Sequence, residues 1–267
     1  MMGLGVSTHK QTIKVLGAYG TKAKNCATST IYIDNHNVID AGNLIVPLEQ
    51  QCIELENIWI THAHLDHIMD IASLIDSYFS LRDKPLNLLG LPETLKAIQN
   101  HFLNNAIWPD FSKIKLYKKD VMAVTYTEIE LDKEYELSKD ESIRPIKTDH
   151  TVPSCGYVYT KSGSSVLITQ DTYSIKNIIE EANHNRAINS LVIECSFSDD
   201  MQELAIVSKH LTPKLLFQQL EGLVREDITL YINHIKPAYF EKIVDELERY
   251  RGKWKPVLLK DGDFITF

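Results

Sequence analysis

Residues 61–70 read THAHLDHIMD, placing three histidines and two aspartates within nine positions of a chain that has only 10 histidines. Imidazole nitrogen and carboxylate oxygen form the donor set of zinc, and they also accommodate iron or manganese. The spacing carries as much information as the residue types. On a helix, residues two apart diverge, so His62 and His64 would face different ways. At the end of a strand they point to one side, and the apolar segment NIWIT (57–61) runs straight into them. The chain must then turn, which lets Asp66 and His67 aim at a second point nearby. One segment thereby offers two ligands to each of two cations. A merely solvated polar turn would not need this order.

Four residues cannot complete two coordination shells, so further ligands must come from elsewhere. His150 ends IRPIKTDH, Asp171 follows the apolar run SVLIT (165–169), and His234 follows ITLYIN (228–233). Each stands at the C-terminal end of an expected strand, the edge at which sites in open α/β sheets gather.

The elements that hold these residues read as alternating strands and helices. TIYID (30–34) and VIDAG (38–42) form a hairpin of short strands. Beyond the histidine cluster, Ile68, Ile71, Ala72, Ile75 and Phe79 recur at helical spacing from a start near Asp66. LNLLG (86–90) is a strand, a helix follows over 92–106, and strands are expected at 114–117 and within 122–146. In the second half GYVYT (156–160), SVLIT and SLVIE (190–194) are strands, with helices over 174–184, 200–208, 213–224 and 237–250. Two such halves predict two sheets packed face to face with helices outside. No repeat, linker or low-complexity tract divides residues 1–267, which read as one domain.

Composition narrows the chemistry. With 44% hydrophobic residues the chain can bury a full core. Lys and Arg number 28 against 36 Asp and Glu, a net charge of −8, which argues against a long polyanionic substrate. The only basic clusters are KIKLYKK (113–119) and RGKWK (251–255). No apolar run approaches the ~20 residues of a membrane span, and the N-terminus lacks a secretory pattern. Gly3 stands behind two methionines, which argues against myristoylation. Cys26, Cys52, Cys155 and Cys195 form no C-x-x-C pair and read as neutral thiols in a reducing cytoplasm.

THAHLDH resembles the H-x-H-x-D-H signature of the metallo-β-lactamase superfamily. VIECSF (192–197), HLTP (210–213) and NHIKP (233–237) resemble the class II cyclic-nucleotide phosphodiesterases, and the likeness runs from about Gly17 to His234. The resemblance implies an αββα four-layer sandwich with a binuclear metal site. In it His62, His64 and His150 would hold one metal, and Asp66, His67 and His234 the other. Asp171 would bridge them, with Asp40 supporting the site from behind. Two positions depart from the family pattern: Asp70 stands where a small residue is usual, and Gln170-Asp171-Thr172 where GDT is common. DHTVPSCGY (149–157) is similar to the tRNA 3′-processing endonucleases (ribonuclease Z), which supplies the second reading.

Two divalent cations activate a water held between them. Two Zn²⁺ less two carboxylates and one hydroxide leave a single positive charge, which matches a phosphodiester monoanion. A sugar alkoxide leaves poorly, so a proton donor is needed. His210 lies in SKHLTP, which resembles the proton-donor element of the related nucleases, with Glu194 placed to orient it. A capping role before a helix starting at Pro213, with Thr212 as N-cap, is compatible with this. Asp66, Glu194 and His210 are thus the catalytic candidates.

The expected activity is hydrolysis of 3′,5′-cyclic nucleotides (cAMP, cGMP or both) to 5′-nucleotides in the cytoplasm, and the resemblance allows for a homodimer. An RNA 3′ endonuclease or another hydrolase of the same fold is the alternative. His9, His36, His101 and His184 read as surface residues. Tyr157, Tyr159, Tyr173, Tyr231 and Tyr239 are more ordinary as core than as base-stacking groups.

Overall fold

The computed structural model describes residues 10–267, so His9 and the N-terminal segment lie outside the described residues. The first half contributes β1 (Thr12–Gly17), β2 (Thr30–Tyr32), β3 (Asn37–Ile39), β4 (Asn57–Trp59), β5 (Leu86–Gly90) and β6 (Val124–Glu128). The second contributes β7 (Tyr135–Ser138), β8 (Glu141–Lys147), β9 (Cys155–Lys161), β10 (Ser164–Ile168), β11 (Ile188–Glu194), β12 (Thr229–Asn233) and β13 (Val257–Leu258). The final strand, β14 (Phe264–Thr266), returns to pair antiparallel with β1. The two sheets run β14-β1-β2-β3-β4-β5-β6 and β13-β12-β11-β10-β9-β8-β7.

Seven α-helices are assigned among the described residues. They are α1 (Ile45–Leu48), α2 (Leu65–Tyr78), α3 (Pro92–His101), α4 (Lys176–His184), α5 (Gln202–Ser208), α6 (Pro213–Leu220) and α7 (Phe240–Tyr250).

Period-two side-chain direction sorts each strand between two cores. Val38, Ile58 and Leu88 face outward into a cluster with Ile68, Ile71 and Ile75 of α2 and Leu95 and Ile98 of α3. Their neighbours Ile39, Trp59 and Leu89 face inward and meet Tyr157, Tyr159, Val166, Ile168, Val192 and Tyr231 of the second sheet. On that sheet Val158, Leu167, Leu191, Ile193, Leu230 and Ile232 point the other way, against α4, α6 and α7. Three apolar layers between four structural layers make an αββα sandwich, the expected architecture. Tyr157, Tyr159 and Tyr231 are core residues, while Tyr173 and Tyr239 are half-buried.

The strand ends share one edge. β3 to β6 run parallel, as do β10 to β13, and β8 is parallel to β10 because both pair antiparallel with β9. The C-terminal ends of β8, β10, β11 and β12 therefore lie together. Cross-sheet bonds bring the end of β4 to them: Cys155 N–H donates to Thr61 O at 3.1 Å, and the Tyr157 hydroxyl donates to Ile60 O at 2.9 Å.

Some expected boundaries move. Residues 114–117 form no strand, only a bridge from Lys115 to Met122, because the segment has one partner residue and no ladder. The helix expected over 92–106 ends at His101, and the 57–61 strand ends at Trp59. All four cysteines are free; Cys26 is half-buried and the other three are buried.

Candidate metal centre

His62 and His64 sit on extended chain just past β4 rather than on the strand itself, yet their rings still meet, with centroids 4.6 Å apart. His64 is the N-cap of α2, with φ −71° and ψ 147°, so the helix begins between it and Asp66. Asp66 and His67 then occupy the first turn, where a carboxylate is favoured by the positive end of the helix. Gly42 lets this turn approach the loop after β3, since a Cβ there would lie 2.1 Å from Asp66 O.

The seven expected ligands come together in two groups. His62, His64, His150 and Asp171 form one; Asp66, His67, Asp171 and His234 form the other; within each group the donor atoms all lie within 4.8 Å of one another. Asp171 belongs to both, and its two oxygens divide the work. Oδ2 lies 3.5 Å from His62 Nε2 and 3.7 Å from His150 Nε2. Oδ1 lies 3.0 Å from His234 Nε2 and 3.5 Å from His67 Nε2. Asp66 Oδ2 completes the second group, 3.4 Å from His234 Nε2.

This donor set suits divalent cations. His64 Nδ1 faces His150 Nε2 at 3.2 Å, and His67 Nε2 faces His234 Nε2 at 3.3 Å, so nitrogen meets nitrogen twice. His62 Nε2 and Asp171 Oδ1 are buried without a hydrogen-bond partner of good geometry. Buried polar atoms left unpaired are costly, so such a cluster calls for a cation between its lone pairs. Nearby Lys209 does not fill that place, because its ammonium is bound to Asp149 at 2.6 Å.

Local electrostatics split the histidines. Burial holds His62, His64 and His150 below the ordinary imidazole range, which keeps them neutral and ready to ligate. Burial is the largest single influence on His67 and His234 and works against their charge. Asp171 together with Asp40 at His67, and together with Asp66 at His234, outweighs it. His67 is raised well above its usual range and His234 to about 9. Burial would raise Asp171, yet His234 and His67 hold its carboxyl well below the usual carboxylate range.

Behind the candidate ligands lies a set of supports. Asp40, fully buried at φ 60°, accepts through Oδ1 from Thr61 N–H at 2.9 Å and from the Thr61 hydroxyl at 3.0 Å. Its other oxygen accepts from His67 Nδ1 at 2.8 Å and Gln170 Nε2 at 2.9 Å. That fixes the His67 proton on Nδ1 and turns Nε2 toward the cluster. Gln170, at φ 49°, accepts in turn from Asn233 Nδ2 at 3.2 Å. Asp70 accepts from the backbone N–H groups of Leu44 and Ile45 at 2.7 and 3.2 Å. Both departures from the family pattern therefore have structural work: one steadies Asp40, and the other anchors the start of α1 to α2.

His210 lies beside the second group, its ring stacked on His234 with centroids 5.6 Å apart and 18° between planes. His210 Nδ1 bonds Glu194 Oε1 at 2.8 Å. Glu194 also accepts from Thr172 N–H at 2.8 Å and from the Ser196 hydroxyl at 2.6 Å, while Ser196 Oγ is 2.9 Å from His234 Nδ1. Glu194, His210 and His234 are themselves close enough to hold a cation. Their Nδ1 atoms, however, are engaged in this relay, which ties the orientations of two imidazoles to one buried carboxylate. Thr212 caps α6, accepting from Leu215 N–H, so the capping and positioning roles coexist. Ser196 lies within VIECSF, but its link between Glu194 and His234 is not legible in sequence, because a serine after a strand carries no spacing signal of its own. His36, His101 and His184 are exposed, as expected.

A model of the class-II cAMP phosphodiesterases matches residues 26–245. The chain belongs to that family. Ribonuclease Z of Thermoplasma acidophilum is 31% identical over 126 residues, 45% of this chain and 37% of that protein. The 3′,5′-cyclic-nucleotide phosphodiesterase 1 of Saccharomyces cerevisiae is 32% identical over 73 residues, 27% of this chain and 20% of that protein. These matches span well under two thirds of either relative. Unliganded yeast PDE1 superposes with a TM-score of 0.79 over 96% of this chain and 99% of that one, at 16% identity, a likeness of fold. The sandwich is a metallo-β-lactamase fold, and this family member is a hydrolase of that fold whose histidine and aspartate clusters could hold divalent metal ions. Among the described residues no helix is long and apolar enough to cross a membrane.

Proposed function

We propose that the chain hydrolyses 3′,5′-cyclic nucleotides to 5′-nucleotides in the cytoplasm, using two divalent cations, with Zn²⁺ the best fit to the donor set. His62, His64 and His150 would hold one, Asp66, His67 and His234 the other, with Asp171 shared. The observation that carries the reading is Asp171, which offers one oxygen to each cluster at 3.0–3.7 Å. When bound, a cation pair supplies Lewis acidity, lowering the pKa of water and offsetting charge on phosphoryl oxygens. Asp66 is the most exposed of the ligand carboxylates, its side chain 26% accessible, so it borders the face open to substrate.

The remaining chemistry falls to His210. Cleavage to a 5′-nucleotide breaks the bond from phosphorus to the 3′-oxygen, which leaves as an alkoxide and needs a proton. Glu194 binds Nδ1, which leaves Nε2 as the atom that delivers it. The buried carboxylate also fixes the orientation of the ring for that transfer.

A second reading, an RNA 3′ endonuclease, is favoured by the sequence likeness to ribonuclease Z. Against it, most of the basic side chains in both clusters are already paired with carboxylates. Lys113, Lys115 and Lys119 meet Asp110, Asp120 and Asp83, while Arg251 and Lys253 meet Glu248 and Glu226. The deciding experiment incubates metal-loaded protein separately with cAMP, cGMP and precursor tRNA. Release of a 5′-nucleotide is the expected result; cleavage of tRNA with both cyclic nucleotides intact would reverse the assignment. His210→Ala should retain its metals while turnover falls by ~10²-fold or more, the scale of a general-acid contribution. Undiminished turnover in that variant would remove His210 as donor.

A further inference from the structure

We propose that the apolar cavity beside His64 receives the nucleobase of the substrate, and that Glu93 selects bases bearing an exocyclic amine. The inference rests on the cyclic-nucleotide reading and adds to it the place of the base. The cavity, about 400 Å³, opens between the start of α2, one face of α3 and the β8–β9 connection. His64 lines it while also belonging to the first ligand group, so cavity and cation site share a wall. In a 3′,5′-cyclic nucleotide the base is separated from phosphorus by only one fused ribose. A base bound near this centre therefore has to enter a recess adjoining it.

The walls fit a flat heteroaromatic ring. Leu65, Ile68, Phe102, Val152 and Pro153 supply apolar surface, and Leu65 is 61% exposed at the rim with no core to explain it. Ligand sites combine such walls with a few polar groups that fix orientation. Here those groups come from α3, where Glu93, Ala97 and His101 recur every four residues and so share a face. Ala97 leaves a gap between the two polar ends, which lie ~12 Å apart along the axis. Thr94 is not free to help, because its hydroxyl donates to Pro153 O. The Glu93 carboxylate is a pure acceptor. It suits the amino groups of adenine, guanine and cytosine, whereas uracil has no exocyclic amine and offers it a single N3–H flanked by two repelling carbonyls.

The test compares hydrolysis of cAMP, cUMP and a base-free diester with no aromatic ring, 1-deoxyribose 3′,5′-cyclic phosphate, by the parent, Ala97→Leu and Glu93→Gln. Filling the recess with leucine should raise KM for cAMP by roughly tenfold or more, the scale of one lost stacking contact, with the base-free diester within about twofold. Glu93→Gln should raise KM for cAMP and narrow its advantage over cUMP. Unchanged cAMP kinetics in Ala97→Leu, or equal losses on all three substrates, would overturn the assignment. So would a change confined to oligomeric state on size-exclusion chromatography, which would make the cavity an interface between copies. A parent that cleaves the base-free diester and leaves cAMP intact would defeat the underlying reading, and the cavity's role with it.

Discussion

Asp40→Asn tests whether the site depends on its buried support. Asparagine keeps the shape and tolerates the left-handed backbone at φ 60°, so the change isolates charge and hydrogen-bond sense. Its amide oxygen can still accept from Thr61, but its NH₂ would confront two donors, His67 Nδ1 and Gln170 Nε2. Gln170 can escape only by flipping its amide, which breaks its bond from Asn233. His67 can escape only by moving its proton to Nε2, which removes the lone pair aimed at the second cluster. Two hydrogen bonds to a charged acceptor are at stake, each worth ~1.5–3 kcal/mol. Partial re-pairing leaves an expected loss of about 2–4 kcal/mol, a large share of a typical folding stability of ~5–15 kcal/mol. Metal affinity should fall about 10–100-fold, the usual effect of removing the partner that orients a ligating histidine. Urea denaturation of the metal-free protein and metal content after dialysis against a weak chelator measure the two effects. Parental midpoint and parental metal retention in the Asp40→Asn protein would refute this account of the buried carboxylate.

Gly20→Ala should cost metal and activity, because the new Cβ would lie 2.7 Å from His234 Cε1 and Nδ1; normal metal content in a folded variant would contradict it. In chelated protein, the His234 pKa is raised from 6.5 to about 9, so its pairing with Asp171 and Asp66 stabilises fully below pH ~6.5 and is lost as pH rises through 9. His67 is raised as well, while His62, His64 and His150 are already neutral across that window. Tm of the metal-free protein should therefore fall from pH 6.5 to 9, and a rise would be the wrong sign. Far from the site, buried Arg82 donates to the carbonyls of Cys52, Ile53, Leu55 and Pro85. Arg82→Leu should lose about 2–4 kcal/mol in denaturant titration through orphaned acceptors, with metal content per folded molecule unchanged.

The parts of this architecture legible in sequence are those that repeat locally. Alternation in Tyr157-Val158-Tyr159 and Val166-Leu167-Ile168 reports two-sided burial, and the helical recurrence from Ile68 to Ile75 reports α2. The first four proposed ligands are legible because they lie within six residues; the other three, because each follows an apolar strand. The supports were not readable. Gln170 reaches Asp40 across 130 residues, and Asp70 reaches Leu44 across 26, contacts that no local period encodes. Likewise β13 and β14 have two and three residues, too short for alternation to register, and β14 is placed only by pairing with β1 at the far end of the chain.

The proposed ligand set draws on both leaves of the sandwich. His62, His64, Asp66 and His67 follow β4 of one sheet, while His150, Asp171 and His234 follow β8, β10 and β12 of the other, with His67 and His234 separated by 167 positions in the chain. Cations held as proposed would rivet the leaves together and close a very long loop, restricting the unfolded ensemble much as a covalent cross-link does. Metal starvation would then unfasten the seam as well as silence the chemistry, and proteases would find the chain through that opening first.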